Sequence, residues 1–141
     1  MPTGESPSLA PAPGTPDPPA ILVVDDNSVN RLMLSRHVER LGYVASSAAD
    51  GGQALALLAG RPFALVLLDL LMPEMDGYEV LQRMKADATL RDIPVIIISG
   101  MEDQESVTRC LELGAVDYLP KPFNPVELRA KIGATLENTR P

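Results

Sequence analysis

Four apolar runs divide the chain. Ile21-Leu22-Val23-Val24 leads directly into Asp25-Asp26, and Ala64-Leu65-Val66-Leu67-Leu68 leads into Asp69. Val95-Ile96-Ile97-Ile98 stops at Ser99, and the short Tyr118-Leu119 is followed by Pro120-Lys121-Pro122. Uninterrupted runs of this length, rich in β-branched residues and separated by helical patterns, predict strands buried on both faces of a parallel sheet. After the first run, Asn30, Met33, Leu34, His37, Val38 and Leu41 recur at helical spacing until Gly42 stops the helix. A short strand is expected near Tyr43 to Ser46, then a helix from about Gly52 to Ala59 with Leu55 and Leu58 inward. Beyond Asp69, a loop carrying Pro73 leads to a helix with Val80, Leu81 and Met84 on one face. A fourth helix runs from about Gln104 to Leu113 and ends at Gly114. The last opens on Asn124-Pro125-Val126-Glu127, which reads as an N-cap, a proline at the first helical position and the glutamate of a capping box. It should reach Glu137 or Asn138. Five strands alternating with five helices imply an open parallel α/β sheet covered on both faces.

Composition adds a tail and removes several functions. The 141 residues, 45% of them apolar, suit one domain. Half of the fourteen prolines precede Ala20, in a stretch without Lys, Arg or aromatic residues. Residues 1–19 therefore read as a disordered tail of polyproline II character, too poor in apolar surface to offset its ordering entropy. Residues 20–138 form the domain, and 139–141 are its C-terminal end or the start of a linker. The start lacks the basic and apolar segments of a secretory signal, and no run approaches the ~18 apolar residues that span a bilayer. A cytoplasmic protein without a membrane partner is expected. The net charge of −7 argues against direct nucleic-acid binding. The lone Cys110 excludes an internal disulfide and a cysteine-based metal site, and reads as a small buried hydrophobe.

In parallel sheets, ligands bind beyond the carboxyl ends of the strands. Asp25, Asp26, Asp69, Ser99 and Lys121 all stand at such ends, so three carboxylates, a hydroxyl and an ammonium should share one crevice. Each has a plainer reading. Asp25 and Asp26 suit a solvated capping pair, Asp69 and Ser99 suit helix or turn caps, and Lys121 suits a surface lysine. Together they point elsewhere. Unit charges ~4 Å apart repel by about 4 kcal/mol at an effective dielectric of ~20. A hard divalent cation relieves that repulsion, and oxygen ligands with room for water suit Mg²⁺. The ammonium and hydroxyl suit a phosphoryl group. His37 reads as a half-buried structural histidine and Asn30 as a polar residue of the same stripe, in the core or bonded into the acidic site. Met72, Met75 and Met84 read as loop and core packing, and Tyr118 as packing or as part of the site.

Val24-Asp25-Asp26-Asn27, Leu68-Asp69-Leu70-Leu71-Met72-Pro73-Glu74-Met75-Asp76-Gly77, Ile98-Ser99-Gly100 and Tyr118-Leu119-Pro120-Lys121-Pro122-Phe123 resemble the signatures of the response-regulator receiver family of two-component signalling. The resemblance covers about residues 20–138 and implies a flavodoxin-like fold with strand order 2-1-3-4-5. It implies that Asp69 accepts a phosphoryl group from a phosphohistidine of a histidine kinase or histidine phosphotransfer protein. Asp26, Asp69 and the backbone carbonyl of Leu71 would bind Mg²⁺ directly, and Asp25 mainly through water. Lys121 would pair with the phosphoryl oxygens, Ser99 would reorient to bond one of them, and Tyr118 would turn inward in response. The Lys121-Pro122 bond resembles one that is cis in the family.

The fourth helix, the strand at Asp117 to Leu119 and the last helix would form the signalling face, controlling homodimerisation or an output domain. Catalysis would be confined to the domain's own phosphorylation and dephosphorylation. Leu71 and the apolar Met101 lie two residues beyond Asp69 and Ser99, which suggests slow hydrolysis of the phosphorylated state. Two other readings stand beside this one. A phosphorylation-independent interaction module needs none of the chemistry. A hydrolase of the haloacid dehalogenase-like class would carry a second Asp at position 71, where this chain has Leu71. The output is not legible: a single-domain regulator and an N-terminal receiver of a longer protein both fit.

Overall fold

The apolar runs form the interior strands of one sheet in a computed structural model, which describes residues 18–72, 75–100 and 104–138. The elements alternate as β1 (Ala20–Val24), α1 (Ser28–Arg40), β2 (Val44–Ala48), α2 (Gly51–Gly60), β3 (Leu65–Asp69), α3 (Gly77–Lys85), β4 (Val95–Ser99), α4 (Gln104–Leu113), β5 (Asp117–Pro120) and α5 (Pro125–Asn138). The sheet is ordered β2-β1-β3-β4-β5 with every neighbouring pair parallel, the flavodoxin-like arrangement expected. Among the described residues no helix is long and apolar enough to cross a membrane.

The strands are apolar throughout because each face of the sheet has its own core. Leu22, Val24, Val66, Leu68, Val95 and Ile97 point to one side, where Ala54 and Leu58 of α2, Leu81 and Met84 of α3, and Val107 and Cys110 of α4 cover them. Ile21, Val23, Leu65, Leu67, Ile96 and Ile98 point to the other, under Leu34 and Val38 of α1 and Leu128, Ile132 and Leu136 of α5. Burying each such side chain is worth about 1.5–3 kcal/mol. The central strands cannot slip by one residue without exchanging the two cores. Register is thereby fixed: Val24 lies beside Leu68, Asp69 beside Ile98 and Ser99 beside Pro120. That sets the polar strand ends level with one another.

Where the pattern was weaker, the boundaries differ. β2 begins at Val44, later than the expected Tyr43, because Gly42 (φ 98°) and Tyr43 belong to the turn after α1, with the Tyr43 amide donating to the Val38 carbonyl. It extends to Ala48 as a half-covered edge whose sequence, VASSA, lacks an apolar run. In α1, Leu34 and Val38 are buried, but Met33 is 46% exposed at the margin of the stripe. In α5 the Asn124 Oδ1 accepts from Val126 N at 2.8 Å and Glu127 N at 3.2 Å. The Glu127 carboxylate, expected to complete a capping box, pairs with Lys131 at 3.4 Å. Residues 1–17 of the expected tail, Pro73, Met101 and residues 139–141 lie outside the described residues. Pro19, assigned to the tail by its composition, already accepts through its carbonyl from Val44 N at 2.9 Å.

The turn between β3 and α3 is pressed against the strand it leaves. The Gly77 amide donates to the Leu70 carbonyl at 2.9 Å. A Cβ on Gly77 would stand 2.5 Å from the Asp69 carbonyl oxygen and 2.9 Å from Leu70 Cα, both backbone atoms that cannot swing aside. Gly77→Ala should therefore cost about 1–3 kcal/mol of unfolding free energy in urea denaturation. A variant as stable as the parent would show that the turn yields at no cost.

Candidate functional site

The carboxyl ends of β1, β3, β4 and β5 bring the expected groups together. Asp25 is fully buried, continuing the ladder of β1 with its amide donating to the Ala48 carbonyl at 3.1 Å. Its Oδ1 accepts from Asn27 N at 2.9 Å, and Arg31 Nη1 donates to its backbone carbonyl at 2.8 Å. Asp26, next along, is exposed. Asp69 ends β3 with only 2% of its surface exposed. One carboxylate oxygen from each of these three aspartates lies within 4.8 Å of the others.

Lys121 supplies the opposing charge. Its Nζ lies 2.9 Å from Asp69 Oδ1 and 3.8 Å from Asp25 Oδ2. The backbone holds it there: Lys121 N donates to the Ser99 carbonyl at 2.8 Å, and the Lys121-Pro122 peptide is cis. Ser99 is buried at the end of β4, with its hydroxyl 3.4 Å from the Gly100 carbonyl. Tyr118 is half-buried one strand away, and its hydroxyl accepts from Gln104 Nε2 at 3.0 Å. The Leu71 side chain is 59% exposed.

Three carboxylates against one ammonium leave the site short of positive charge. Burial, the largest effect, raises the pKa of Asp69 to about 6. The Lys121 hydrogen bond opposes it, and the charge of Asp25 adds to it. Burial works against the Lys121 ammonium, but the hydrogen bond and charge of Asp69 outweigh it and hold its pKa above the usual lysine value. Asp25 Oδ2 is buried with no hydrogen-bond partner among the described residues. An orphaned buried oxygen is costly, and a hard cation among oxygen donors satisfies it. The donor set fits Mg²⁺.

A cavity of about 360 Å³ opens beside this cluster, lined by Asp25, Asn30, Met33, His37 and Phe123 among others. His37 packs edge-on against Phe123 with ring centroids 5.3 Å apart, the structural role expected of it. Asn30 and Asp25 both line the cavity, and the Asn30 backbone amide donates to the Asn27 side chain that caps α1. Three contributors escaped the sequence reading: Arg31 behind Asp25, Gln104 on Tyr118, and Lys131. The last pairs with Asp117 at 3.2 Å and donates to the Tyr118 carbonyl. Gln104 and Lys131 meet partners 13 or 14 residues away that only the tertiary fold brings near, and Arg31 reaches back across the β1–α1 turn to a carbonyl six residues earlier. Asp76 was legible in principle: it caps α3 by accepting from Glu79 N at 2.9 Å, three residues on.

Residues 21–133 match the family described as the response regulator receiver domain. The probable transcriptional regulator ycf27 of Porphyridium aerugineum is 41% identical over 82% of this chain and 47% of its own length. The phosphate regulon transcriptional regulatory protein PhoB of Pseudomonas aeruginosa is 38% identical over 86% of this chain and 53% of its own length. The chain thus spans about half the length of these curated relatives. Among solved structures, the signal receiver domain of a signal transduction histidine kinase from Syntrophus aciditrophicus superposes with a TM-score of 0.80. It is 34% identical and covers 86% of this chain and 92% of that one.

The raised pKa of Asp69 makes a stability prediction. The folded protein holds a proton there more tightly than the unfolded chain, whose carboxyl ionises near 3.8. Ionisation therefore adds no penalty below the unfolded value, an increasing one as pH rises through about 6, and its full cost above that. Without divalent cations, Asp69→Asn should be more stable than the parent at pH 8 than at pH 4, the difference growing by on the order of 2 kcal/mol. Mg²⁺ should shrink that gap at pH 8. A gap that stays constant from pH 4 to pH 8 in denaturant melts would remove the electrostatic strain assigned to Asp69.

Proposed function

This chain belongs to the response-regulator receiver domain family, and from that premise we propose that it is a switch thrown by phosphorylation of Asp69. The observation that carries the reading is the buried Asp69 carboxylate, set 2.9 Å from the Lys121 ammonium inside a cluster of acids. A carboxylate so placed is raised in free energy chiefly by burial and by the charge of Asp25, and it is held beside an ammonium that can follow the negative charge onto a phosphoryl group.

An Asp69 oxygen attacks the phosphorus of a phosphohistidine on a histidine kinase or histidine phosphotransfer protein. The new P–O bond forms as the P–N bond breaks, and the departing imidazole nitrogen keeps the electron pair and takes up a proton. Asp26, Asp69 and the Leu71 carbonyl would hold Mg²⁺ directly and Asp25 mainly through water, and the cation would supply positive charge against the phosphoryl oxygens. Lys121 moves its hydrogen bond from the carboxylate to a phosphoryl oxygen, and Ser99 turns its hydroxyl to another.

Carrying a two-state element from 1:99 to 99:1 takes about 5.5 kcal/mol. The bond Ser99 gains to a charged group supplies roughly 1.5–3 kcal/mol of it, and Lys121, already bonded to the carboxylate, adds only the difference between its old and new acceptors. As Ser99 turns, Tyr118 follows it inward, and the surface made by α4, β5 and α5 repacks to control homodimerisation or an output domain. The net charge of −7 favours protein over nucleic acid as the direct partner of this surface.

Asp69→Asn should abolish incorporation of acid-labile phosphate from acetyl phosphate or a phosphorylated kinase, and removing Mg²⁺ from the parent should do the same. Undiminished labelling of the variant would move the acceptor elsewhere. The exposed Leu71 side chain at the rim offers an attacking water no hydrogen bond. Leu71→Asn should speed loss of label several-fold in the absence of kinase, and an unchanged decay would remove this side chain from control of the lifetime.

A further inference from the structure

Tyr118 is held at both ends. Its carbonyl accepts from Lys131, which is itself fixed by Asp117 at 3.2 Å and Glu127 at 3.4 Å. Its hydroxyl accepts from the Gln104 side-chain amide at 3.0 Å, across 14 residues of sequence and from a different element. The first anchor grips the backbone, and the same ammonium lies 5.8 Å from the ring centroid. The second exists only while the hydroxyl stays within reach of the head of α4.

We propose that Gln104 is a latch. By bonding the Tyr118 hydroxyl at the rim, it biases the unphosphorylated protein toward its resting conformation, and breaking this bond is part of the cost of activation. The inference rests on the receiver reading, in which the Tyr118 ring turns inward after Ser99. Gln104 is the first residue of α4, five positions beyond Ser99 on the chain. Its backbone is committed to that helix, since Thr108 Oγ1 donates to its carbonyl at 3.0 Å. Gln104 and Tyr118 lie on adjacent elements of the surface that activation repacks, so the bond joins the two parts whose relative position must change.

The bond's strength suits a bias rather than a lock. A neutral amide-to-phenol hydrogen bond at an exposed site shifts a two-state equilibrium by roughly threefold to tenfold. By linkage, the same factor enters the affinity of any ligand that binds the inward state, provided the outward state predominates at rest. Removing the latch therefore tightens the binding of an activating ligand that never touches Gln104.

The test uses the whole chain with beryllofluoride, a phosphoryl analogue, titrated by calorimetry in saturating Mg²⁺. Gln104→Leu should bind it about threefold to tenfold tighter than the parent. Gln104→Glu, whose carboxylate accepts a hydrogen bond from the phenol, should stay close to the parent. In the Tyr118→Phe background the hydroxyl is already gone, so adding Gln104→Leu should change the affinity no further. An unchanged or weaker affinity in Gln104→Leu, or a full effect of that substitution without the hydroxyl, would overturn the latch while leaving the receiver reading intact. A parent that binds no beryllofluoride would overturn the receiver reading and the latch with it.

Discussion

Like charges forced together at the end of a sheet are the constraint on which the rest of this structure depends. β1 and β3 are neighbours in register, so Asp25 and Asp69 arrive at the same level whether or not their charges agree. Lys121 answers part of that charge, and it stays in reach because its backbone is bonded to the end of β4. What is left over, including an orphaned Asp25 oxygen, makes the site receptive to a cation. The two apolar cores exist on this view to hold an unfavourable arrangement in place.

The two cores also divide the labour between the faces of the sheet. α1 and α5 cover one side, α2, α3 and α4 the other, and the site opens at the rim between them. Ser99 and Tyr118 stand on neighbouring strands at the α4–β5 side of this rim. In the proposed switch, a reorientation of the Ser99 hydroxyl would need to cross only one strand spacing to reach Tyr118.

How far the sequence reveals this depends on the range of the interaction. The buried strands were legible because nothing but a two-sided core requires Val95-Ile96-Ile97-Ile98. Asp25, Asp69, Ser99 and Lys121 were legible because each interrupts such a run at its end, and the sheet brings those ends together. β2 was located with the wrong limits, since VASSA at an edge carries no apolar signature. Glu127 was assigned to the cap by local spacing, yet Lys131 one turn on offers a charge, which a backbone amide does not. Gln104 carried no signal at all. A glutamine opening a helix is ordinary until β5 is placed beside it, and only the fold does that.

The close seat of Gly77 on the Asp69 carbonyl has a mechanical meaning as well as a steric one. With no gap between the Asp69 backbone and the first residue of α3, and the Gly77 amide bonded to the Leu70 carbonyl, the start of α3 is braced against the end of β3. In the proposed switch, Asp69 is thus the fixed jaw of a vice. A displacement at its side chain would find no slack on the α3 side and would be passed toward β4, β5 and the head of α4, so that a push from the middle of the sheet would emerge at one edge only.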